Sequence, residues 1–335
     1  MQPASNSGEG LLMQKWTVNA YGNDGSSLRV VFELANFSEK DRLMEMTGQS
    51  LKSKGAFVKA EFTSADGKRK NIEQAAGGDW SFNASKQLLG IASSSLKLEK
   101  SVFKLSFESD DMRIELDLRP LDGPWKPAGE KAIYGNLKNH FFDVVLFAPR
   151  AEVKGVVRLR EFGQSVEKRF AGEATLVYEA TNIRAAELSK RRLDVAYFDK
   201  NNTVIFGGFA QPSKMNGLSH SWMYYKKAGS QAQMSVKNSV KFKKQIEGEH
   251  YAVPKSIEIS TGSGAGALKL TLLTENIIRR IERLDQRENI HGFVARQFSK
   301  PVEYELECAA SLTGTGAPAE LKSFRPHCSM LYLNK

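Results

Sequence analysis

The sequence predicts a mostly-β protein of antiparallel barrels or sandwiches with few helices. Apolar and polar residues alternate with a period of two in many short runs, the mark of strands with one buried face. Turn residues (Asn23-Asp24-Gly25, Asp66-Gly67, Asp110-Asp111 and Asn201-Asn202) separate those runs at strand-like spacing. A helical pattern surfaces only once. The 335 residues correspond to about two domains at ~150 residues each.

The strand candidates begin with Trp16 to Tyr21, Leu28 to Phe37 and Phe57 to Thr63. Val102 to Glu108 precedes the cleanest case, in which Met112, Ile114, Leu116 and Leu118 alternate with Arg113, Glu115, Asp117 and Arg119. Phe141 to Phe147, Val153 to Phe162, Ala174 to Glu179, Leu193 to Phe198 and Val204 to Phe209 continue the series. Leu268, Leu270 and Leu272 then alternate with Lys269 and Thr271. The exception is Glu275 to Glu288, where Ile277, Ile278, Ile281 and Leu284 share one helical face behind Thr274 as N-cap, with arginines on the remainder. That spacing predicts a single helix closing or flanking a barrel, the alternative being an amphipathic helix touching a membrane. Pro120 to Asn139, with Pro124-Trp125-Lys126-Pro127, reads as either an interdomain linker or a long loop inside the first domain.

Composition excludes several classes. With 41% hydrophobic and 26% charged residues the chain is neither disordered, collagen-like nor a coiled coil. No segment reaches the ~18 apolar residues of a membrane-spanning helix; Phe141 to Ala148 is already interrupted by Asp143. His140, His220, His250, His291 and His327 are widely scattered, so no metal site is legible, and no cofactor is expected. Gly262-Ser263-Gly264-Ala265-Gly266 lacks the Lys-Ser/Thr ending of a phosphate loop and reads as a hairpin turn. There is no Gly-x-Ser-x-Gly elbow, and Asp110-Asp111 is a turn rather than a catalytic pair.

The formal charge of +10 favours anionic partners. Lys226, Lys227, Lys237, Lys241, Lys243 and Lys244 lie near Tyr224, Tyr225 and Phe242, but without any RNP-type or helix-turn-helix pattern. A solvated surface is the first reading of this cluster and peripheral contact with an anionic membrane the second; nucleic acid is not expected. The N-terminus has no basic segment followed by an apolar stretch, so no secretory signal is written in it. Cys308, on the apolar face of Val302 to Cys308, and Cys328 flank the turn-rich Gly314 to Pro318. An antiparallel hairpin centred near Ala317 and Pro318 would oppose them within disulfide range; two buried thiols are the alternative. A bridge, together with a signal already removed, would favour the periplasm or cell envelope; otherwise the expectation is the cytoplasm.

Several segments together resemble the two-domain lipocalin-like (calycin) superfamily that includes AttH-type proteins, carotenoid 1,2-hydratases and the yeast survival-factor family. Trp16-Thr17-Val18-Asn19-Ala20-Tyr21 before Asn23-Asp24-Gly25 is similar to the aromatic first strand of that group. Asp117-Leu118-Arg119-Pro120 to Gly129 looks like its strand ending in a Pro-rich loop. Pro149-Arg150-Ala151-Glu152-Val153-Lys154-Gly155 matches its central Pro-Arg-x-x-Val-x-Gly signature, followed by Phe170-Ala171-Gly172. Tyr251-Ala252-Val253-Pro254 and Lys300-Pro301-Val302-Glu303-Tyr304 resemble late segments of the survival-factor branch. The resemblance runs from Trp16 to Leu312 and implies two consecutive antiparallel lipocalin-like β-barrels. It places a tail at 1–13, a first barrel at 14–180 and a second at 181–335, with the Pro120 loop inside the first. The Gly-x-Gly-Tyr-x-Asp-His segment of hydratase-like members has no counterpart: Gly172 to Glu179 holds no Asp-His pair, and only Glu173 and Glu179 remain as acids.

These readings point to non-enzymatic binding or transport of a lipid-like or isoprenoid molecule, held by apolar burial in a barrel or interdomain pocket. One alternative is a hydratase, cyclase or isomerase acting on an apolar isoprenoid or polyketide, which requires a protonated acid in an apolar site. Another is an envelope interaction protein with solid barrels. Candidate ligand contacts are the aromatic Trp16, Tyr21, Trp80, Tyr178 and Tyr197, with Arg150 expected to brace the fold through a carboxylate.

Overall fold

In the computed structural model the described residues are 13–35, 55–76, 79–83, 85–127, 141–161, 163–183, 189–210, 219–236, 238–246, 251–262, 266–282, 301–314, 317 and 319–333. They form two antiparallel sheets, each curled into a half-barrel around its own core. The chain divides into unit 1, Met1–Ile183, and unit 2, Arg184–Lys335.

Unit 1 opens with β1 (Met13–Gly22) and β2 (Ser27–Ala35), joined through the Asn23-Asp24-Gly25 turn, where Ser26 donates its backbone N–H to Asp24 at 2.9 Å. β3 (Gly55–Thr63) and β4 (Arg69–Ala75) extend this side of the sheet. β5 (Trp80–Asn83), β6 (Leu88–Ile91), β7 (Ser94–Glu99), β8 (Val102–Glu108) and β9 (Met112–Pro120) form a second meander. It runs into two long strands, β10 (Phe142–Glu161) and β11 (Gln164–Thr181). β11 returns to pair with β1, so the sheet order is β4-β3-β2-β1-β11-β10-β9-β8-β7-β6-β5.

The residues quoted for the central signature have physical work in this sheet. β10 changes register around Ala148 to Ala151, where Pro149 interrupts the ladder and bends the strand. A Cβ on Gly155 would lie 1.9 Å from the Glu115 carbonyl oxygen, and one on Gly172 2.0 Å from that of Tyr21. Neighbouring backbones approach these two positions too closely for any side chain. The Pro120 loop stays within unit 1 as far as it is described: Leu121 donates to the Arg150 carbonyl and Trp125 exchanges two backbone bonds with Leu146. Its residues 128–139 lie outside the described ones.

Unit 2 repeats the arrangement. β12 (Arg191–Phe198), β13 (Asn202–Ala210), β14 (Ser219–Lys227) and β15 (Gln233–Val236) make one meander. β16 (Ser239–Gln245), β17 (Pro254–Ser260), β18 (Leu268–Glu282), β19 (Val302–Gly314) and β20 (His327–Tyr332) make the other. β20 closes against β12, giving the order β15-β14-β13-β12-β20-β19-β18-β17-β16.

The helix expected over Glu275 to Glu288 is corrected by β18, which carries residues 275–282 in extended conformation; 283–288 lie outside the described residues. Its pairing with β19 shifts register twice, between Thr274 and Asn276 and between Ile277 and Arg279, and each bulge adds a residue to β18 and breaks the period-two alternation there. Ile277 packs against the unit 2 core, and Ile281, 8% exposed, is buried outside that cluster. Ile278, placed by the sequence on the same apolar face, is 65% exposed. Thr274 caps nothing; its hydroxyl donates to the Pro254 carbonyl at 2.9 Å.

Candidate functional site

The inner face of the unit 2 sheet carries an open cleft of about 300 Å³, its mouth included. Leu193 on β12, Phe206, Gly208, Phe209 and Ala210 on β13 and Met330 on β20 form one wall. Val240 and Phe242 face them from β16, which stands at the far end of the sheet order and is brought round by the curl. Alternation explains this edge strand: Val240 and Phe242 turn inward, while Lys241 and Lys243 are exposed. Gly208 keeps the wall thin, since a Cβ there would stand 3.0 Å from the Phe206 ring and 3.0 Å from the Ser221 Cβ.

Arg191, at the start of β12, is the one formally charged side chain of this lining. Its guanidinium carbon lies 4.0 Å from the centre of the Phe242 ring, within cation–π range. Nε is buried without a hydrogen-bond partner, and no carboxylate among the described residues pairs with the group. Burial pulls its pKa below the usual arginine value, partly offset by Tyr332. Phe209 and His220, stacked with centroids 5.5 Å apart, complete the lining.

The residues singled out in the sequence are dispersed. Trp16 and Tyr178 meet in the unit 1 core with ring centroids 4.9 Å apart, and Phe147 lies 6.0 Å from Tyr178. Tyr178 donates its hydroxyl to Gln14 Oε1 at 3.0 Å, and Trp16 Nε1 is buried without a partner among the described residues. Tyr21 falls on the opposite face of β1 from Trp16, beside Glu173. Trp80 is 42% exposed on the terminal strand β5. Arg150 makes a two-pronged ion pair with Glu173, Nε to Oε2 at 3.1 Å and Nη2 to Oε1 at 2.8 Å. Tyr197 packs on Phe324 at 4.5 Å and donates to Asp199 at 2.9 Å, six residues along β12 from Arg191.

Cys308 and Cys328 are free, buried thiols. The hairpin between their strands exists, but its register sets Cys328 opposite Leu306 instead of Cys308, leaving the two diagonal to one another. A hydrogen bond to Cys308, together with burial, pushes the Cys328 thiol well above its ordinary pKa.

The candidate acids are engaged. Glu173 and Glu179 lie on the face of β11 opposite Tyr178, the first paired with Arg150 and the second, with only 3% of its side chain exposed, bound to Lys15 at 2.6 Å. Asp194 on β12, a further carboxylate, is paired with Arg192 at 2.6 Å. Among the described residues no three His, Cys, Asp or Glu side chains group as metal ligands.

The cleft's aromatic and aliphatic walls were partly legible, since Phe206 and Phe209 fall in a strand candidate. Arg191 and Phe242 were not: they stand 51 positions apart, and only the curl that carries β16 round to β12 joins them.

No family model and no curated protein sequence matches the chain. Solved structures do. A candidate AttH protein from Nitrosomonas europaea superposes with a TM-score of 0.61 at 10% identity, covering 99% of each chain. CghA gives 0.64 at 10% identity over 97% of this chain and 89% of that one, and its structure is also known with Sch210972. Kievitone hydratase from Nectria haematococca gives 0.57 at 9% identity over 96% and 88%. The chain therefore shares the fold of these structures, two consecutive lipocalin-like half-barrels.

Proposed function

We propose that the chain binds an apolar small molecule in the cleft of its second half-barrel. The observation that carries this reading is a concave space between β12, β13 and β16, walled by Leu193, Phe206, Val240, Phe242 and Met330. Burying apolar surface there contributes about 25 cal/mol per Å² without covalent chemistry. The test is native mass spectrometry of the purified chain combined with solvent extraction. A released hydrophobic compound, or uptake of added acyl compounds that the cleft-filling variant Gly208→Val diminishes, is expected. A chain that carries nothing and takes up nothing overturns the reading.

A catalytic reading has its own support, because kievitone hydratase shares the fold. Hydrating or cyclising an apolar molecule needs a proton donor. Asp24, Asp66, Glu152, Asp199 and Glu258 all have pKa values moved downward, which favours the ionised form. Glu179 is buried, but its carboxyl is paired with Lys15 on the face of the sheet opposite Tyr178. Binding is therefore the reading these side chains support better. Turnover of an alkene or polyene substrate by the wild-type chain, abolished in Glu179→Gln without loss of folding, would reverse that preference.

A further inference from the structure

Several arginines of this protein take carboxylate partners: Arg69 pairs with Glu61, Arg150 with Glu173, Arg158 with Glu167 and Arg192 with Asp194. Arg191 lines the cleft with no carboxylate partner among the described residues, although a guanidinium drawn out of water is costly unless its donors are satisfied. The Phe242 ring attracts the charge but offers no hydrogen-bond acceptor, and Nε is buried without a partner. The remainder of the lining is apolar apart from the His220 ring.

We infer that Arg191 is the anchor for the carboxylate of a monoanionic amphiphile, whose hydrocarbon part lies against Leu193, Phe206, Val240 and Met330. This rests on the cleft being a ligand site, and adds to it the class of ligand. The planar guanidinium matches a carboxylate in a two-point, charge-assisted contact. No second cationic side chain lines the cleft to balance a dianionic phosphate monoester.

The experiment compares octanoate with 1-octanol, two probes of nearly equal length and apolar area, by calorimetric titration of the full chain at neutral pH. Octanoate is expected to bind about tenfold or more tighter than octanol, and Arg191→Gln to bring the two probes to equal affinity. If R191Q does not fold, R191K takes its place; it retains the charge without the fork, and a preference reduced several-fold is expected. Equal binding of the two probes by the wild-type chain overturns the carboxylate anchor and leaves the ligand cleft standing. A preference that survives in the variant overturns Arg191 as its source. Failure of both probes to bind overturns the cleft as a ligand site, and the anchor with it.

Discussion

Gly207 and Gly208 show how neighbouring residues of one type serve opposite purposes. A Cβ on Gly207 would lie 2.4 Å from the ring of the buried Trp222, while Gly208 borders the cleft on the other face of β13. Gly207→Ala is expected to lower stability by about 2 kcal/mol through overpacking. Gly123→Ala, with nothing within 4 Å, is the neutral control in the same thermal melts. Arg150→Ala leaves the Glu173 carboxylate, 28% exposed, without its counter-ion. Its expected cost is about 1–3 kcal/mol, below that of a fully buried pair because water reaches the carboxylate. A melting temperature unchanged from wild type would remove Arg150 as a brace. Cys308 and Cys328, 1% and 6% exposed, are expected to resist a thiol reagent in the native protein and both to react on unfolding. Rapid labelling of either would contradict their placement.

Turns and strands decide how much of the architecture could be foreseen. Where one face is buried, as in β9, the period-two pattern announces the strand directly; Met112, Ile114, Leu116 and Leu118 are buried and Arg113 and Asp117 are not. β18 defeated the same reasoning because bulges change the count of residues per repeat without changing the structure class. Ile278→Asp is accordingly expected to be tolerated, whereas Ile281→Asp, at a position 8% exposed, lowers the melting temperature sharply. Equal sensitivity of the two would favour a helix-like face. The turn after β12 carries an acid-sensitive element. Burial opposes the Asp199 charge, but donation from the Asn201 and Asn202 backbone, the Asn202 amide and the Tyr197 hydroxyl outweighs it and sets its pKa below the ordinary 3.8. Burial pushes Tyr197 up to about 12, so it stays protonated as a donor throughout. With the folded value below the unfolded one, the carboxylate's contribution is complete above pH ~4 and is lost as pH falls through the folded value. Urea titrations near pH 7 and pH 3 are expected to show about 1 kcal/mol more acid destabilisation for wild type than for Asp199→Asn.

Across the whole molecule, composition and turn spacing were enough to indicate antiparallel β architecture, and motif order indicated two barrels. The cleft was hidden for a different reason. Its contacts join β12 to β16, strands at separated places in the sheet order, and periodicity describes only which face a residue occupies. Each unit has its own buried cluster, centred on Trp16, Phe32 and Phe107 in the first and on Phe206, Tyr304 and Met330 in the second. Fragments 1–183 and 184–335 are therefore each expected to give a cooperative melt with a β-type circular dichroism spectrum. A non-cooperative profile from either would show that its core is insufficient alone.

In the second unit Arg191 and Tyr332, first and last residues of its ladder, are paired across adjoining strands. A module whose two ends emerge side by side can be spliced into a host loop, or have its own termini joined and reopened elsewhere, without stretching the chain. That geometry makes the unit transplantable as a cassette, its greasy cleft travelling with it.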